Sequence, residues 1–240
     1  MGEFFSTDYN GSPFVLFGAA HWAALGVILL VNLSLIWVRK SENRRLRDIV
    51  RYTLAGSMAV SRLLLYIWII ATGQWNIQWY LPLHLCSISL WLSVYMLLTK
   101  NYQAFEYAYF LGIGGAIWPL LTPDAGRYGF PHFYPIQFFL SHAGIITASV
   151  YMVVVEGYRP YWSSLKKAFI GGNLYLLFVT GINLLIGSNY MYTLRKPPVA
   201  TPLDYFGPWP WYLVAAEIIA LLLFVLLYFP FYLLDRRAKG

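Results

Sequence analysis

Charged residues are scarce in this sequence of 240 residues: Asp, Glu, Lys and Arg together make up 11%, while 59% of the residues are hydrophobic. A soluble domain of this length could not bury so much apolar surface, so the composition excludes that class of protein. Cysteine is rarer still. Cys86 is the single one, which excludes an intramolecular disulfide. The sequence predicts an integral membrane protein.

The sequence contains long apolar runs that carry few charged residues. About 20 residues with few charges are enough to cross a hydrocarbon core of roughly 30 Å. Because only short segments separate the runs, we predict an all-α bundle of seven transmembrane helices that forms one domain over residues 1–240. The predicted runs are 13–38, 49–73, 82–99, 103–122, 135–157, 167–188 and 209–234. Gly112, Gly114 and Gly115 interrupt the fourth run, which we expect to be the least regular.

Lysine and arginine fall mainly on one side of the predicted bundle. The segments after runs one, three and five and the carboxy-terminal tail carry thirteen of the seventeen, whereas the opposite side carries only Arg127, Arg195 and Lys196. Cytoplasmic loops are rich in Lys and Arg, so we predict an outside amino terminus and a cytoplasmic carboxy terminus. The net charge of +7 then suits anionic lipid headgroups, and we expect no nucleic-acid partner.

Polar and ionisable residues collect in the outer half of the predicted bundle and near its middle. His84 and Cys86 lie near the start of run three, which we predict to begin at Pro82 because proline suits the first helical position. Other runs contribute further polar residues to the same zone. These are His21, Arg62, His142, Asn183 and Glu217, with His132 in an outer connection. We interpret the set as the lining of one polar chamber that opens outward.

A structural role is the alternative for most of these residues. A histidine or asparagine in a membrane helix often only hydrogen-bonds a neighbouring helix, and for His21, Asn173 and Asn183 the two interpretations are balanced. Charged groups cost about 2.5–3.5 kcal/mol to insert, so they usually mark a site or an ion pair. We therefore expect either an Arg62–Glu217 pair or an Arg62 that binds an anionic substrate.

Helical geometry separates the two polar residues of run three. His84 and Cys86 differ by about 200° around a helix, so they face opposite sides, and run three is expected to be central. A base for Cys86 must then come from another helix, where His142 is the best candidate by depth and His21 the second. With such a base, the thiolate could attack a phospholipid ester. Asn183, Arg62 or His84 could donate to the oxyanion.

Several motifs together resemble the YwaF-like family of bacterial integral membrane proteins. They are "SRLLLYIW", "LPLHLCSISLW", "FLGIGGAIWPLLTPD", "FFLSHAGI" and "GINLLIGSNYMYTLRKPP", and the similarity covers nearly the whole chain. The resemblance implies a location in the bacterial cytoplasmic membrane and a relationship to eukaryotic transmembrane proteins implicated in cysteine-dependent acyl transfer to ether lysophospholipids. More distant relatives are membrane hydrolases that use Thr and His. The implied nucleophile is Cys86 and the implied histidine is His142, while the additional His84 leaves the base open.

The connection 188–208 contains two of the three Lys and Arg residues that are predicted to lie in outer connections. Its tyrosines, with Trp209 and Trp211, are typical of residues that anchor a helix at the membrane interface. Alternatively, Arg195 and Lys196 bind a lipid phosphate beside the entrance to the chamber.

Three classes of function are compatible with such a chamber. The first is an acyltransferase between phospholipids and lysophospholipids, or a lipid hydrolase, that uses Cys86 and His142. The second is a non-enzymatic transporter or binding protein for a lipid or small molecule, although the scarcity of inner polar residues disfavours transport. The third is a metal or haem site. Because His84 and Cys86 face apart and no close-spaced ligand motif occurs, we predict no metal and no cofactor.

Overall fold

A computed structural model describes residues 3–197 and 201–237, and this part of the chain forms helices and their connections. Seven long helices follow one another. They are α1 (Ala19–Lys40), α2 (Arg44–Ala71), α3 (Leu85–Thr99), α4 (Tyr102–Leu121), α5 (Phe133–Val154), α6 (Trp162–Ile186) and α7 (Trp211–Arg237). Two short 3₁₀ turns, Tyr190–Tyr192 and Pro202–Phe206, lie between α6 and α7.

Local sequence sets the ends of several helices. Asn43 precedes α2, and its side-chain oxygen accepts a hydrogen bond from the backbone N–H of Leu46. Asn101 accepts in the same way from Ala104 at the start of α4. Such caps satisfy N–H groups that have no partner within the helix. Gly187 ends α6 in the left-handed conformation, which glycine adopts at least cost.

Consecutive helices run in opposite directions, so the connections lie at two ends of the bundle. At one end, Trp68 Nε1 donates a hydrogen bond to the carbonyl of Phe5. At the opposite end, the C-terminal face, the hydroxyl of Tyr151 donates to the carbonyl of Arg47. The first end is called the N-terminal face here, and it carries residues 3–18, the connections 72–84 and 122–132, and the described parts of the connection between α6 and α7, 187–197 and 201–210.

Six of the seven helices are long and apolar enough to cross a membrane. The exception is α3, whose 15 residues extend about 22 Å at 1.5 Å per residue, less than a hydrocarbon core of roughly 30 Å. The protein is therefore an all-helical, multi-pass membrane protein. The seventh crossing and the outside amino terminus stay predictions.

The start of α3 differs from the prediction. The helix begins at Leu85, not at Pro82, because the preceding segment is held outside it by tertiary contacts. The hydroxyl oxygen of Tyr190, for example, accepts a hydrogen bond from the backbone N–H of Leu81. This partner is more than 100 residues away, and helical periodicity gives no sign of it. As a consequence, Cys86 is the second residue of α3 and lies at its N-terminus.

The middle of α4 is irregular, as its glycines predict. A π-helical turn occupies Ala108–Gly112 and so ends at the first of the three glycines. The missing side chain of Gly112 lets α5 approach, since a Cβ atom there would lie 2.9 Å from the side chain of Ile145. Turns of this kind are frequently found at functional sites.

Helix α3 is central, as predicted. It packs against α2, α4 and α5, and Ser87 and Ser89, which point in different directions from the helix, are both buried. Two of these neighbours, α2 and α5, carry the predicted site residues Arg62 and His142.

Candidate functional site

A cavity of about 1110 Å³ lies between the helices and extends to the connections of the N-terminal face. Side chains from α2 to α7 line it, and most of the lining is apolar. Five of the nine predicted site residues belong to the lining: Arg62, His84, Cys86, His142 and Glu217. A largely apolar cavity with a few convergent polar groups is the usual form of a ligand site.

The Cys86 thiol lies in this cavity and has a specific partner. It donates a hydrogen bond of 3.2 Å to the carbonyl oxygen of Gly115 in α4. In a regular helix that carbonyl would accept from the backbone N–H four residues later, but Pro119 occupies that position and has none. The thiol therefore satisfies a carbonyl that α4 leaves without an intrahelical donor.

The His142 imidazole lies in the same cavity with one nitrogen already used. Its Nδ1 lies 2.8 Å from the carbonyl oxygen of Phe138 on its own helix. A carbonyl only accepts, so Nδ1 carries the hydrogen and Nε2 of the neutral ring is an acceptor. In the described part of the chain no hydrogen bond joins Nε2 to the Cys86 thiol.

The His84 side chain connects α3 to the connection 187–210. Its Nδ1 accepts a hydrogen bond of 3.3 Å from the backbone N–H of Met191, and its ring packs against Tyr190 and Tyr192. His84 is also the residue that precedes the first turn of α3. Its Nδ1 is not free to act as a base, which favours a role in shaping the cavity wall; a catalytic role for His84 stays a prediction.

The expected Arg62–Glu217 pair does not form. Glu217 accepts a hydrogen bond of 2.9 Å from the side chain of Asn173, which lies on α6. Arg62 is only 8% exposed, its Nε atom has no hydrogen-bond partner, and it makes no ion pair with another described residue. The prediction of a pair was wrong because helix depth does not fix which faces of α2 and α7 meet.

His21 and Asn183 do not line the cavity, and their hydrogen bonds within the protein favour the structural interpretation; a role in substrate binding stays a prediction. Both ring nitrogens of His21 are used: Nδ1 accepts from the N–H of Phe17, and Nε2 donates to the carbonyl of Leu120. The buried side-chain amide of Asn183 also has all its hydrogen-bonding positions occupied. Its oxygen accepts two hydrogen bonds, and its nitrogen donates two. Its partners are Tyr190, through both N–H and carbonyl, Ser188 and Thr193.

Arg195 and Lys196 lie on the N-terminal face outside the cavity. Arg195 is exposed, and the Lys196 ammonium donates a hydrogen bond of 3.2 Å to the carbonyl of Asp204. Lys196 also lies 5.8 Å from the centre of the Tyr212 ring. Residues 198–200 of this connection lie outside the described residues. Contact of this pair with a lipid headgroup stays a prediction for the outer rim.

Several polar lining residues were not predicted as site residues, among them Gln137, Ser141 and Asn173. Gln137 donates a hydrogen bond of 2.6 Å to Ser141, and both are buried next to His142 on α5. Their spacing of four residues in run five indicates a polar stripe, so the signal was present in the sequence. Asn173 lines the cavity through its contact with Glu217.

The fold and the cavity define a multi-pass helical membrane protein with a partly polar interior site. Comparison with known families then identifies the chain: the profile of the TMEM164 family matches residues 16–228, and the chain belongs to that family. Neither the curated proteins nor the solved structures contain a match. Among the described residues, no group of three or more His, Cys, Asp or Glu side chains could hold a metal ion.

Proposed function

We propose that this protein is a membrane acyltransferase that moves a fatty acyl chain between a phospholipid and a lysophospholipid, with Cys86 as nucleophile and His142 as base. One observation carries the proposal: a single cavity holds both the chain's only thiol and an imidazole whose Nε2 is an acceptor. Nucleophilic acyl transfer needs this combination of groups. The resemblance to the YwaF-like family, and its implied cysteine chemistry in a bacterial cytoplasmic membrane, points in the same direction.

The reaction proceeds in two balanced steps. The Cys86 thiol leaves the Gly115 carbonyl and gives its proton to Nε2 of His142, and the sulfur attacks the ester carbonyl of the donor. The ester C–O bond breaks, and His142 returns the proton to the departing lysophospholipid oxygen. In the second step the hydroxyl of the acceptor gives its proton to His142 and attacks the thioester carbonyl, the C–S bond breaks, and His142 returns the proton to the departing sulfur. With water as acceptor the same steps give a hydrolase.

The N-terminus of α3 supports the charge that develops in these steps. The backbone N–H groups of Leu85 and Cys86 belong to the first turn, which has no preceding carbonyl to pair with. Helix N-termini favour negative charge, here the thiolate and the oxyanion. This donor set could not be predicted from the sequence because run three was expected to begin three residues earlier.

The apolar part of the cavity suits the acyl chain. Leu111, Phe169, Leu176 and Phe224 line the region between α4, α6 and α7, away from the connections. A lipid with its ester at Cys86 can extend its chain along these side chains, where burial of each CH₂ group contributes about 0.8 kcal/mol.

One observation favours the alternative of a non-enzymatic lipid-binding protein. The thiol of Cys86 bonds to Gly115 and not to His142. In this alternative Cys86 only replaces the N–H that Pro119 lacks, and the cavity binds lipid without chemistry. A serine could donate the same hydrogen bond, so the Ser variant separates the two functions.

The test is acyl transfer by the purified chain, mixed with a phospholipid that carries a labelled acyl chain and an unlabelled lysophospholipid. We expect Cys86→Ala and Cys86→Ser to abolish transfer and His142→Ala to reduce it by a factor of about 10²–10⁴. The double variant should add little, because residues that act as one unit are non-additive. A labelled thioester on Cys86 should accumulate when acceptor is withheld.

Ser89→Ala is the matched control, since this buried serine of α3 does not line the cavity. It should retain transfer. Full transfer by Cys86→Ser, or labelled product without a thioester intermediate, would remove Cys86 as the nucleophile. Lipid binding without any transfer by the wild-type chain would favour the non-enzymatic alternative.

A further inference from the structure

The guanidinium of Arg62 is an isolated cation in the cavity. It is the one lysine or arginine among the described residues that line this space, and it is 92% buried, with a relative exposure of 8%. Its Nε atom has no hydrogen-bond partner. The carboxylates that line the cavity do not neutralise it: Glu217 is bound by Asn173, and Asp124 is exposed and accepts from Gly126.

An uncompensated charge at this depth is unfavourable, and such groups in membrane proteins mark ligand or ion pathways. The planar guanidinium presents several N–H donors that match the oxygens of a phosphate in a two-bond arrangement. Arg62 lines the same cavity as Cys86, His84 and His142. An anion bound there would be anchored beside the thiol.

We infer that Arg62 binds the phosphate of a glycerophospholipid and so makes the cavity selective for phosphate-bearing lipids over neutral acylglycerols. A few covalent bonds separate the phosphate of such a lipid from its nearest ester carbonyl. Fixing the phosphate at Arg62 therefore brings the ester to Cys86. The alignment of the ester rests on the acyl-transfer proposal, whereas phosphate binding does not, and the two can be tested separately.

Equilibrium binding to the purified full chain in the Cys86→Ala background tests the inference without chemistry. The two probes are a lysophosphatidic acid and the monoacylglycerol with the same acyl chain, which differ only in the phosphate. We expect the phosphorylated lipid to bind more tightly, and Arg62→Gln to weaken its binding by a factor of about ten or more. Arg62→Gln should change monoacylglycerol binding less than about twofold, and Arg62→Lys should restore part of the lost affinity.

Arg45→Gln is the matched control, because this exposed arginine lies on the same helix outside the cavity. It should leave the affinities for both lipids unchanged. Thermal unfolding of the lipid-free Arg62→Gln chain gives a second readout. Removing a buried charge that has no partner should leave its stability equal or raise it, whereas a structural role for Arg62 would lower it and overturn the inference.

The other outcomes are equally decisive. Equal affinity for the two lipids in the Cys86→Ala chain, or no effect of Arg62→Gln on binding in that background, would overturn the phosphate assignment. Loss of transfer with unchanged binding would assign Arg62 to the oxyanion and also overturn it. If glycerol 3-phosphate competes as well as the lipid, the phosphate site stands but its ligand is a soluble phosphoester. Arg62-dependent phosphate binding by a chain without transferase activity would reject only the proposed function.

Discussion

The four histidines differ in which ring nitrogens the protein already uses. His21 has both nitrogens bonded to backbone groups, and so has His132, whose Nε2 donates to the carbonyl of Ser6 and whose Nδ1 accepts from Tyr134. His84 and His142 each use Nδ1. Of these last two, only His142 has a donor role at Nδ1, which makes Nε2 the acceptor that a general base requires.

His132 gives a prediction about pH, because it fixes the amino-terminal segment on the N-terminal face. Burial lowers the pKa of His132, against the raising effect of its hydrogen bond to Ser6. The unfolded value is about 6.5. A depressed folded pKa means that this contribution to stability is fully present above about pH 6.5 and is lost as the pH falls through the folded value. Acidification should therefore release residues 3–8.

Hydrogen exchange of the amides in residues 3–8 measures this release. We expect protection to fall between about pH 7 and pH 5, after correction for the intrinsic exchange rate. His132→Gln, which keeps a side-chain donor and acceptor but does not titrate, should remove the pH dependence. Protection that is independent of pH in the wild-type chain would show that His132 does not control this segment.

At the scale of elements, Pro119 in α4 leaves the Gly115 carbonyl free to accept the hydrogen bond of the Cys86 thiol in α3. Pro119→Ala would supply the N–H that Gly115 lacks and would compete with Cys86 for the carbonyl. A weak hydrogen bond contributes about 0.5–1 kcal/mol, so alkylation of Cys86 by a small thiol reagent should become about two- to fivefold faster. Because the chain has one cysteine, the labelling rate reports this site alone.

Two control measurements exclude a change in intrinsic thiol reactivity and local unfolding as causes of faster alkylation. Alkylation of the denatured variant and the denatured wild type should be equal, since the intrinsic reactivity of the thiol is then the same. The thermal stability of Pro119→Ala should rise, because proline in a helix interior costs about 3 kcal/mol relative to alanine. A faster labelling rate combined with a lower stability would instead indicate local unfolding.

The sequence predicted the existence of the helices better than their ends. Apolar runs predicted seven transmembrane helices, and six of the seven observed helices are long and apolar enough to cross a membrane, because length and composition are local properties. The start of α3 was wrong since Leu81 is held by Tyr190, a long-range contact. The irregularity of α4 was foreseen from Gly112, Gly114 and Gly115, although its form, a π-helical turn, was not.

At the scale of the whole molecule, depth along the helices predicted the cavity only in part. Arg62, Cys86 and His142 line it, whereas His21 and Asn183 lie at a similar depth but bond to the backbone elsewhere. Depth can be read from residue number, but the direction of a side chain around the helix axis depends on how neighbouring helices pack. The two faces of the bundle also differ as predicted, with most Lys and Arg on the C-terminal face.

This difference predicts the orientation of the bundle, which single cysteines introduced in the Cys86→Ala background can test. Ser12 and Asn76 are exposed on the N-terminal face, and Ser41 and Gln103 on the C-terminal face. Loops rich in Lys and Arg stay in the cytoplasm, which places the N-terminal face outside. An impermeant thiol reagent should therefore label Cys at positions 12 and 76 in intact cells. Positions 41 and 103 should react only after the membrane is opened. The reverse pattern would invert the predicted orientation, and labelling of 76 and 103 from the same side would show that α3 does not cross.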